Sequence, residues 1–273
     1  MVARAFRTMG VTRDDVILHA TGLTLFVGGP PIRDALERIG ATVVPIGTGA
    51  SVKAVQAMET VGVTALHATP SDARYLAECV RAHGRDPREF GLSRVLVGGE
   101  PGGGEPALRA HLEREWGACV TEGLGNADMG PVRFGEPPGA SGMRFTGGRH
   151  VIAELVEPDG GEPVPVEPGA SGELVYTSVD RECCPLVRFR TRDHVRVTGT
   201  AADGAPLIRC VGRTDDMLIV LGVNVFPSAI RDVVQGLAPR TNGAMQVVLP
   251  GPGPRVAPPL RVEAEDHHTD ANR

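Results

Sequence analysis

The sequence predicts an α/β fold, because short apolar runs alternate with amphipathic stretches through its first half. The apolar runs lie at 15–20, 42–46, 64–68, 94–99 and 118–122. The amphipathic stretches between them lie at 29–39, 51–61, 70–83 and 104–116. Apolar runs without polar alternation are typical of a parallel sheet that is covered on both faces. Ligands of such sheets bind beyond the carboxyl ends of the strands, where we expect the glycine-rich loops 98–104 and 122–130.

The character of the sequence changes near residue 131. Glycine, proline and short apolar runs dominate 132–213, and no helical period is present there, which indicates a small β-barrel-like subdomain. A strand, a glycine turn and a helix that begins at Pro227 then open a third unit, since proline fits the first helical turn. The predicted organisation is a parallel-sheet α/β portion at 1–131, the β subdomain at 132–213, and the start of a truncated α+β lobe at 214–273.

Composition and charge exclude several classes of function. Hydrophobic residues make up 41% and charged residues 22% of the 273 residues, which is ordinary for a globular protein. The formal net charge is -5 and no run of basic residues is present, so nucleic-acid binding is not expected. The five cysteines form no CxxC pair, and no apolar run reaches the length of a membrane span. We therefore expect a soluble chain in the reducing cytoplasm.

The glycine-rich loop at 98–104 matches neither of the common phosphate-binding motifs. Its five glycines do not fit the G-x-G-x-x-G spacing of dinucleotide-binding folds. The chain also contains no G-x-x-x-x-G-K-[ST] string. An unrelated α/β oxidoreductase is therefore disfavoured.

Two long segments resemble phenylacetate–CoA ligases of the adenylate-forming superfamily. The first is GRTDDMLIVLGVNVFPSAI at 212–230, which is nearly diagnostic of that group. The second is LVYTSVDRECCPLVRFRTRDHVRV at 174–197, which is similar to the family's segment that leads into its ribose-binding aspartate. The whole resemblance covers residues 1 to about 262, in the family's order.

Four shorter segments resemble the family's nucleotide loops and acyl pocket. LVGGEP at 96–101 and EGLGNADMG at 122–130 correspond to loops that contact the adenine. LTLFVGG at 23–29 and HATPSDA at 67–73 are similar to segments that line the pocket for the acid. The resemblance implies ATP-dependent activation of a carboxylic acid, through an acyl-adenylate, to a CoA thioester.

The implied reaction uses ATP, Mg²⁺ and coenzyme A, with a small aromatic carboxylic acid as the substrate. Phosphoryl transfer depends mainly on positioning and charge neutralisation, so such a site needs a magnesium ion, a phosphate loop and cations. The resemblance also implies a homodimer or a complementing chain as a partner.

Two parts of the family's catalytic machinery do not occur in this sequence. No SSGTTG-like phosphate loop is present, and the only lysine, Lys53, lies on a predicted helix rather than in the lobe where the family has its catalytic lysine. We therefore expect no catalytic residue in this chain, and a ligase activity that is impaired or depends on a partner. The alternative is a non-catalytic nucleotide-binding or interaction module derived from the same fold.

The resemblance assigns nine residues to nucleotide binding. They are Gly99, Glu100, Pro101, Gly123, Leu124, Gly125, Asn126, Asp193 and Arg213. Asp193 would accept hydrogen bonds from the ribose hydroxyls, in a sequence that has RTRD where many relatives have RTGD. The alternative is a surface aspartate that pairs with Arg192 or Arg196.

Arg213 would contact the ribose or a phosphate as a charge-assisted donor. The alternative for Arg213 is an ion pair with Asp215 or Asp216. Asp215 also matches the family's hinge, about which the C-terminal lobe rotates between the two half-reactions. The alternative for Asp215 is a plain turn residue.

The two glycine-rich loops are expected to present their backbone to the adenine. Gly99 and its two successors could approach the base closely, since glycine has no Cβ; the alternative is a loop that caps the next helix. In the second loop, Glu122, Gly125 and Asn126 stand where the family has tyrosine, threonine and an acid. The lost carboxylate removes a hard ligand for Mg²⁺, and Asp128 is the candidate that replaces it.

The resemblance assigns five residues to the acyl pocket. They are Thr21, Gly22, Phe26, Gly29 and Pro70. The alternative is a strand end that runs into a glycine loop and a helix. His19, His67 and His111 are well separated along the sequence, and we expect them to be structural residues.

Overall fold

The computed structural model of the chain describes residues 1–221, 223–251 and 254–266. Its first half alternates helices with strands. The helices are α1 (Val2–Thr8), α2 (Pro30–Ile39), α3 (Ser51–Val61), α4 (Pro70–Ala82) and α5 (Pro106–Trp116), with a 3-10 helix at Pro87–Phe90. The strands are β1 (Val16–His19), β2 (Thr42–Pro45), β3 (Ala65–Ala68), β4 (Arg94–Gly98) and β5 (Cys119–Asn126). All of the predicted elements of this half are present; α1 is additional, and its seven residues are too few to show a helical period.

These five strands form a parallel sheet in the order β2-β1-β3-β4-β5. One apolar cluster packs α3, α4 and α5 on one face, and Trp116 is buried in it with its indole N–H donating to the Ala73 carbonyl at 3.1 Å. A second cluster packs α1 and α2 on the other face, around Phe6 and Leu36. The sheet is therefore covered on both faces, as its uninterrupted apolar runs predict.

The sheet continues as an antiparallel half. Its strands are β6 (Gly130–Gly135), β7 (Met143–Phe145), β8 (Val151–Val156), β9 (Pro163–Val164), β10 (Ser171–Ser178), β11 (Phe189–Thr200) and β12 (Pro206–Arg213), with a 3-10 helix at Gly148–His150. They follow β5 in the order β6-β7-β12-β11-β10-β8-β9. This order is open, with β2 and β9 at its two edges, so the barrel-like shape expected for 132–213 is not confirmed. The bounds of the three predicted domains remain predictions.

The C-terminal part of the described chain forms two small sheets beside one helix. Its elements are β13 (Leu218–Val220), β14 (Val223–Val225), α6 (Pro227–Gln235), β15 (Thr241–Val248), β16 (Arg255–Val256) and β17 (Arg261–Asp266). β13 lies between β14 and β16, and β15 pairs with β17. The Asp232 carboxylate of α6 accepts a hydrogen bond from the Ala107 N–H at 3.2 Å, so α6 contacts the start of α5.

None of the helices in the described ranges is both long and apolar enough to cross a bilayer.

Asp15 connects the amino ends of three parallel strands. It is buried just before β1, and its carboxylate accepts hydrogen bonds from the Thr12 N–H at 2.7 Å and the Thr64 hydroxyl at 3.0 Å. Arg94, the first residue of β4, places Nη1 at 2.7 and 2.9 Å from its two oxygens. Because Thr64 directly precedes β3, one buried carboxylate fixes β1, β3 and β4 relative to one another.

Replacement of Asp15 by alanine should lower the free energy of unfolding by about 3–5 kcal/mol, because the Arg94 guanidinium would lose its buried partner. Urea titration monitored by circular dichroism measures this loss. The neighbouring Asp14 is exposed, and the matched variant Asp14→Ala should change the free energy by less than about 0.5 kcal/mol. Equal losses in the two variants would contradict the role of Asp15.

Candidate functional site

The loops that follow β1, β3, β4 and β5 meet at the carboxyl edge of the parallel sheet. Together with α1 and α2 they enclose a cavity of about 230 Å³. The apolar side chains that line it include Phe6, Met9, Phe26, Ile32, Val97 and Val132. The polar side chains that line it are Thr21, His67, Thr69 and Asn126. A mostly apolar cleft with a few polar groups is the usual form of a small-molecule site.

Two of the five residues assigned to the acyl pocket line this cavity. Thr21 is buried directly beyond β1, and its hydroxyl donates to the Gly28 carbonyl at 2.7 Å. Phe26 lines the cavity from the same loop. Gly22 and Gly29 shape that loop instead, because a Cβ at Gly29 would lie 2.0 Å from the Gly22 carbonyl oxygen.

The fifth residue assigned to the acyl pocket, Pro70, is buried at the first position of α4 and does not line the cavity. The preceding Thr69 lines it, and sequence reasoning missed this residue. The Thr69 side chain accepts a hydrogen bond from the Asp72 N–H at 3.1 Å, which caps the helix. The pattern of a threonine before a proline and a helix was the available signal, because such a threonine is a typical N-cap.

The first glycine loop contributes two residues to the cavity, Gly98 and Gly99. Gly99 lines it with φ of 88°, a left-handed conformation that glycine adopts without strain. The Glu100 carboxylate accepts hydrogen bonds from the Ser71 hydroxyl and from the Ser71 N–H, the latter at 2.6 Å, so it fastens this loop to the start of α4. Pro101 is exposed and does not line the cavity.

The second glycine loop contributes four residues to the cavity, three of which lie on β5 and the fourth, Ala127, directly after it. Gly123, Gly125 and Asn126 line it along β5. Leu124 does not; it pairs with Phe134 of β6 and packs against the apolar cluster of the antiparallel half. Leu124 as a nucleotide-binding residue remains a prediction.

Asp128 lies exposed in the turn between β5 and β6. No group of three or more histidine, cysteine or acidic side chains that could hold a metal ion occurs within the described ranges. Mg²⁺ is commonly held by one or two carboxylates together with the phosphates of a nucleotide, so a single carboxylate fits that arrangement. Asp128 as a magnesium ligand remains a prediction.

Asp193 and Arg213 lie opposite each other on β11 and β12. Arg213 Nη1 is 3.3 Å from Asp193 Oδ1, while Nε and Nη2 of Arg213 are 3.0 and 2.9 Å from the two carboxylate oxygens of Asp215. The ion pair with Asp215 that the sequence left open is therefore formed together with the contact to Asp193. Among the described residues, Asp193 makes no ion pair with Arg192 or Arg196.

The Asp193 carboxylate is in an environment that disfavours its charge. Burial raises its pKa to about 6, and the Arg213 guanidinium opposes this shift. Neither residue lines the cavity; the pair lies on the antiparallel half of the sheet, and its part in nucleotide binding remains a prediction. Perturbed carboxylates beside a cation are common where proteins bind or transform ligands.

Arg192, the second arginine of the RTRD sequence, has a backbone conformation that glycine adopts more easily. Its φ is 68°, the left-handed region that costs a residue with a side chain about 1–2 kcal/mol and that glycine occupies without strain. Its N–H donates to the buried Glu173 carboxylate at 3.2 Å, and its guanidinium lies 3.9 Å from that carboxylate. The conformation is therefore held by Glu173.

His19 and His67 lie side by side, although they are 48 residues apart along the sequence. They are partners in the register of β1 and β3, and their rings stack with centroids 4.9 Å apart and planes 9° from parallel. Nδ1 of His67 is 3.0 Å from Nδ1 of His19, and Nε2 of His19 is 3.2 Å from the Thr21 hydroxyl oxygen. His67 lines the cavity, so this pair belongs to the site.

Glu122 lies buried behind the glycine loops. Its N–H donates to the Glu136 carboxylate at 3.1 Å, and Arg109 donates to the same carboxylate. Burial, and then the charge of Glu136, raise the pKa of Glu122 to about 7. A Cβ at Gly103 would lie 2.9 Å from Glu122 Oε1, so the first glycine loop packs on this side chain.

The fold and the site define a class, the adenylate-forming acyl-CoA ligases. A structure of 2-hydroxyisobutyryl-CoA ligase in the postadenylation state, in complex with 2-HIB-AMP, superposes with a TM-score of 0.82 at 28% identity. That match covers 97% of this chain and 57% of the other. A structure of the anthranilate CoA ligase AuaEII in complex with anthranoyl-AMP has a TM-score of 0.65 at 20% identity. That match covers 96% of this chain and 50% of the other, and it shows a shared fold.

Within that class the chain is related in sequence to phenylacetate–CoA ligases. It is 35% identical to the enzyme of Pseudomonas putida over 236 residues, which are 86% of this chain and 53% of that protein. It is 32% identical to the enzyme of Thermus thermophilus over 271 residues, which are 97% of this chain and 60% of that protein. No protein-family model matches the chain. The resemblance stated from the sequence is confirmed, and the chain spans a little over half of the length of these relatives.

Replacement of Glu122 by glutamine should stabilise the chain relative to the wild type progressively as the pH rises from about 4.5 to about 7. The raised pKa means that the folded wild type holds this proton more tightly than the unfolded chain, so wild-type stability falls through that window. Glutamine does not titrate, and the relative gain should reach about 2–3 kcal/mol. Urea titrations at pH 4.5, 6 and 8 measure it.

The matched control for this prediction is Glu167→Gln, since Glu167 is exposed. Its free energy of unfolding should lie within about 0.5 kcal/mol of that of the wild type in each of the three titrations. A difference between Glu122→Gln and the wild type that stays constant from pH 4.5 to 8 would contradict the buried, proton-binding state of Glu122.

Proposed function

We propose that this chain binds the acid and the adenosine of an acyl-adenylate, as part of an ATP-dependent acid–CoA ligase. In that reaction a carboxylate attacks the α-phosphate of ATP, which gives the acyl-adenylate and pyrophosphate. The thiol of coenzyme A then displaces AMP and forms the thioester. The observation that carries the proposal is the cavity, because segments assigned to the acyl pocket and loops assigned to the nucleotide line it together.

The size and lining of the cavity support a small aromatic acid as the substrate. An apolar cavity of roughly 150 Å³ can hold benzene, so about 230 Å³ leaves room for a ring with a short side chain. Phe6 and Phe26 offer ring faces or edges to an aromatic group. The glycines at 99, 123 and 125 leave the rim of the same cavity without side chains, where the acid's carboxylate would meet the nucleotide.

The Asp193–Arg213 pair supports the adenosine half of the site. A buried carboxylate gains from hydrogen-bond donors, and the two ribose hydroxyls can supply them. Arg213 donates to this carboxylate, to Asp215 and to the Thr191 carbonyl, and its one remaining N–H, on Nη2, is available to the ribose or phosphate. Asp215, which Arg213 also binds, stands at the entry to the C-terminal lobe, where we place the hinge.

The remaining reactants are ATP, Mg²⁺ and coenzyme A. When bound, Mg²⁺ would neutralise charge that develops on the phosphates, with Asp128 as the carboxylate that this chain offers. Because the chain spans 53–60% of the length of its curated relatives, we assign binding to this chain and turnover to the whole enzyme. The five free cysteines support a reducing, cytoplasmic location.

A second candidate function is nucleotide binding without turnover. The observation that favours it is Lys53, the only lysine, which is exposed on α3 and does not line the cavity. A pyrophosphate-release assay with ATP, Mg²⁺ and small aromatic acids separates the two candidates. Acid-dependent release supports the ligase, whereas AMP binding without acid-dependent release, by this chain and by any longer protein that contains it, supports the binding module.

Replacement of Asp193 by asparagine should weaken AMP binding roughly 10- to 100-fold, because hydrogen bonds to a charged acceptor become hydrogen bonds to a neutral one. Isothermal titration calorimetry with AMP measures the loss. Asp14→Asn is the matched control, since Asp14 is exposed, and it should bind AMP as the wild type does. A folded Asp193→Asn variant with unchanged AMP affinity would overturn the assignment of the ribose to Asp193.

Adenosine binding should weaken as the pH falls through about 6, because the ribose hydroxyls donate best to the ionised Asp193 carboxylate. At pH 5 such a group is roughly nine-tenths protonated, so the dissociation constant should rise roughly tenfold between pH 7 and pH 5. Adenosine is the chosen ligand because it has no phosphate that titrates in this range. In Asp193→Asn the same titration should be flat, and an equally steep one would contradict the role of Asp193.

A further inference from the structure

His67, which lines the cavity and stacks on His19, is a polar residue of the cavity that the proposed function leaves unused. Burial lowers the pKa of His19 to about 4 and that of His67 well below its ordinary value, so both rings are neutral near pH 7. A neutral imidazole carries one proton, on either Nδ1 or Nε2, and its other nitrogen accepts hydrogen bonds. The partners of each nitrogen therefore decide what the pair presents to the cavity.

Thr21 determines the proton position on His19. Its single hydroxyl proton is donated to the Gly28 carbonyl at 2.7 Å. The Thr21 oxygen must then accept in its 3.2 Å contact with Nε2 of His19. The one proton of His19 is therefore on Nε2, and its Nδ1 is an acceptor.

His19 in turn determines the proton position on His67. Their Nδ1 atoms are 3.0 Å apart, and the acceptor on His19 requires a proton on Nδ1 of His67. Nε2 of His67 is then unprotonated. Among the described residues, no group forms a hydrogen bond with this atom, and the atom is not fully enclosed by protein. It is therefore accessible from the cavity that His67 lines.

We infer that Nε2 of His67 is a hydrogen-bond acceptor in the acyl pocket, and that it selects acids whose carbon frame bears a hydroxyl or amino donor. The inference rests on the proposed function, because it needs the acid to occupy this cavity. Phe6, Ile32 and Val97 provide apolar surroundings for the carbon frame, so a lone acceptor among them discriminates strongly. An acid without the donor would leave Nε2 without a hydrogen-bond partner and in contact with carbon atoms. Such an acid should bind roughly tenfold more weakly than an acid that carries the donor.

The first test needs no mutation. Stable acyl-adenylate analogues, the adenosine acyl-sulfamates of phenylacetate and of its ring-hydroxylated, ring-aminated and ring-methoxylated derivatives, are titrated by calorimetry. We expect at least one hydroxyl or amino isomer to bind tenfold or more tightly than the phenylacetyl parent, and its methoxy counterpart to lose that gain. Equal affinity of the parent and all donor-bearing isomers overturns the inference and leaves the proposed function intact. Failure of AMP and every analogue to bind overturns both.

The second test uses two variants of His67. Asparagine keeps an N–H near the position of Nδ1, for His19, but has no acceptor near Nε2. Glutamine places its amide oxygen near Nε2. In His67→Asn, the affinities for the donor-bearing analogue and for the phenylacetyl parent should differ by no more than about twofold. In His67→Gln, part of the preference for the donor-bearing analogue should return. A preference that persists in a folded His67→Asn variant contradicts the inference.

The third test reads the proton positions directly and needs no ligand. The ¹⁵N chemical shifts of the imidazole rings distinguish the two neutral tautomers, and the signals of His67 are assigned from their loss in His67→Asn. We expect the Nδ1–H form for His67 and the Nε2–H form for His19. In Thr21→Val, which removes the acceptor for His19, the two tautomers of each ring should mix. A proton on Nε2 of His67 in the wild type overturns the inference even where the analogues bind.

Discussion

The parallel register of β1, β3, β4 and β5 is the constraint on which the candidate site depends. Because the carboxyl ends of these strands lie at the same edge of the sheet, His19 lies beside His67, and Gly98 lies beside Gly123. A shift of a single residue in one strand would turn its side chains to the opposite face of the sheet. The approach of β4 to β5 is close enough that a Cβ at Gly98 would lie 2.7 Å from the Gly123 carbonyl oxygen. The register thus brings the segments assigned to the acyl pocket and the glycine loops around one cavity.

The antiparallel half of the sheet contributes buried charged residues, whereas the cavity lies at the parallel half. Asp193 and Glu173 are both buried carboxylates on neighbouring strands, and each has an arginine partner, Arg213 and Arg190 respectively. Buried ion pairs contribute little net stability, since desolvation offsets most of the attraction. Together with the left-handed backbone of Arg192, this concentration of unfavourable features in one segment is typical of a functional site.

The elements of the first half could be predicted from the sequence to within a few residues, because helical and strand periods are local properties. The stretch 51–61, for example, is α3. The assignment of Asp193 and Arg213 to one nucleotide site rests on a family resemblance rather than on spacing, and their direct contact was not predicted. The His19–His67 pair could not be predicted, because 48 residues and two helices separate the two rings and only the strand order joins them. Sequence reasoning named Pro70 instead of the neighbouring Thr69, because a periodic pattern does not show which of two adjacent loop residues lines a cavity.

A crystal structure of the chain with a stable phenylacetyl-adenylate analogue would test the two-part site most directly. We expect the aromatic ring in the cavity beside Phe6 and Ile32, and the ribose hydroxyls at about 3 Å from the Asp193 carboxylate. An analogue bound with its ring outside the cavity, or with its ribose away from Asp193, would contradict this assignment of acid and nucleotide to one site.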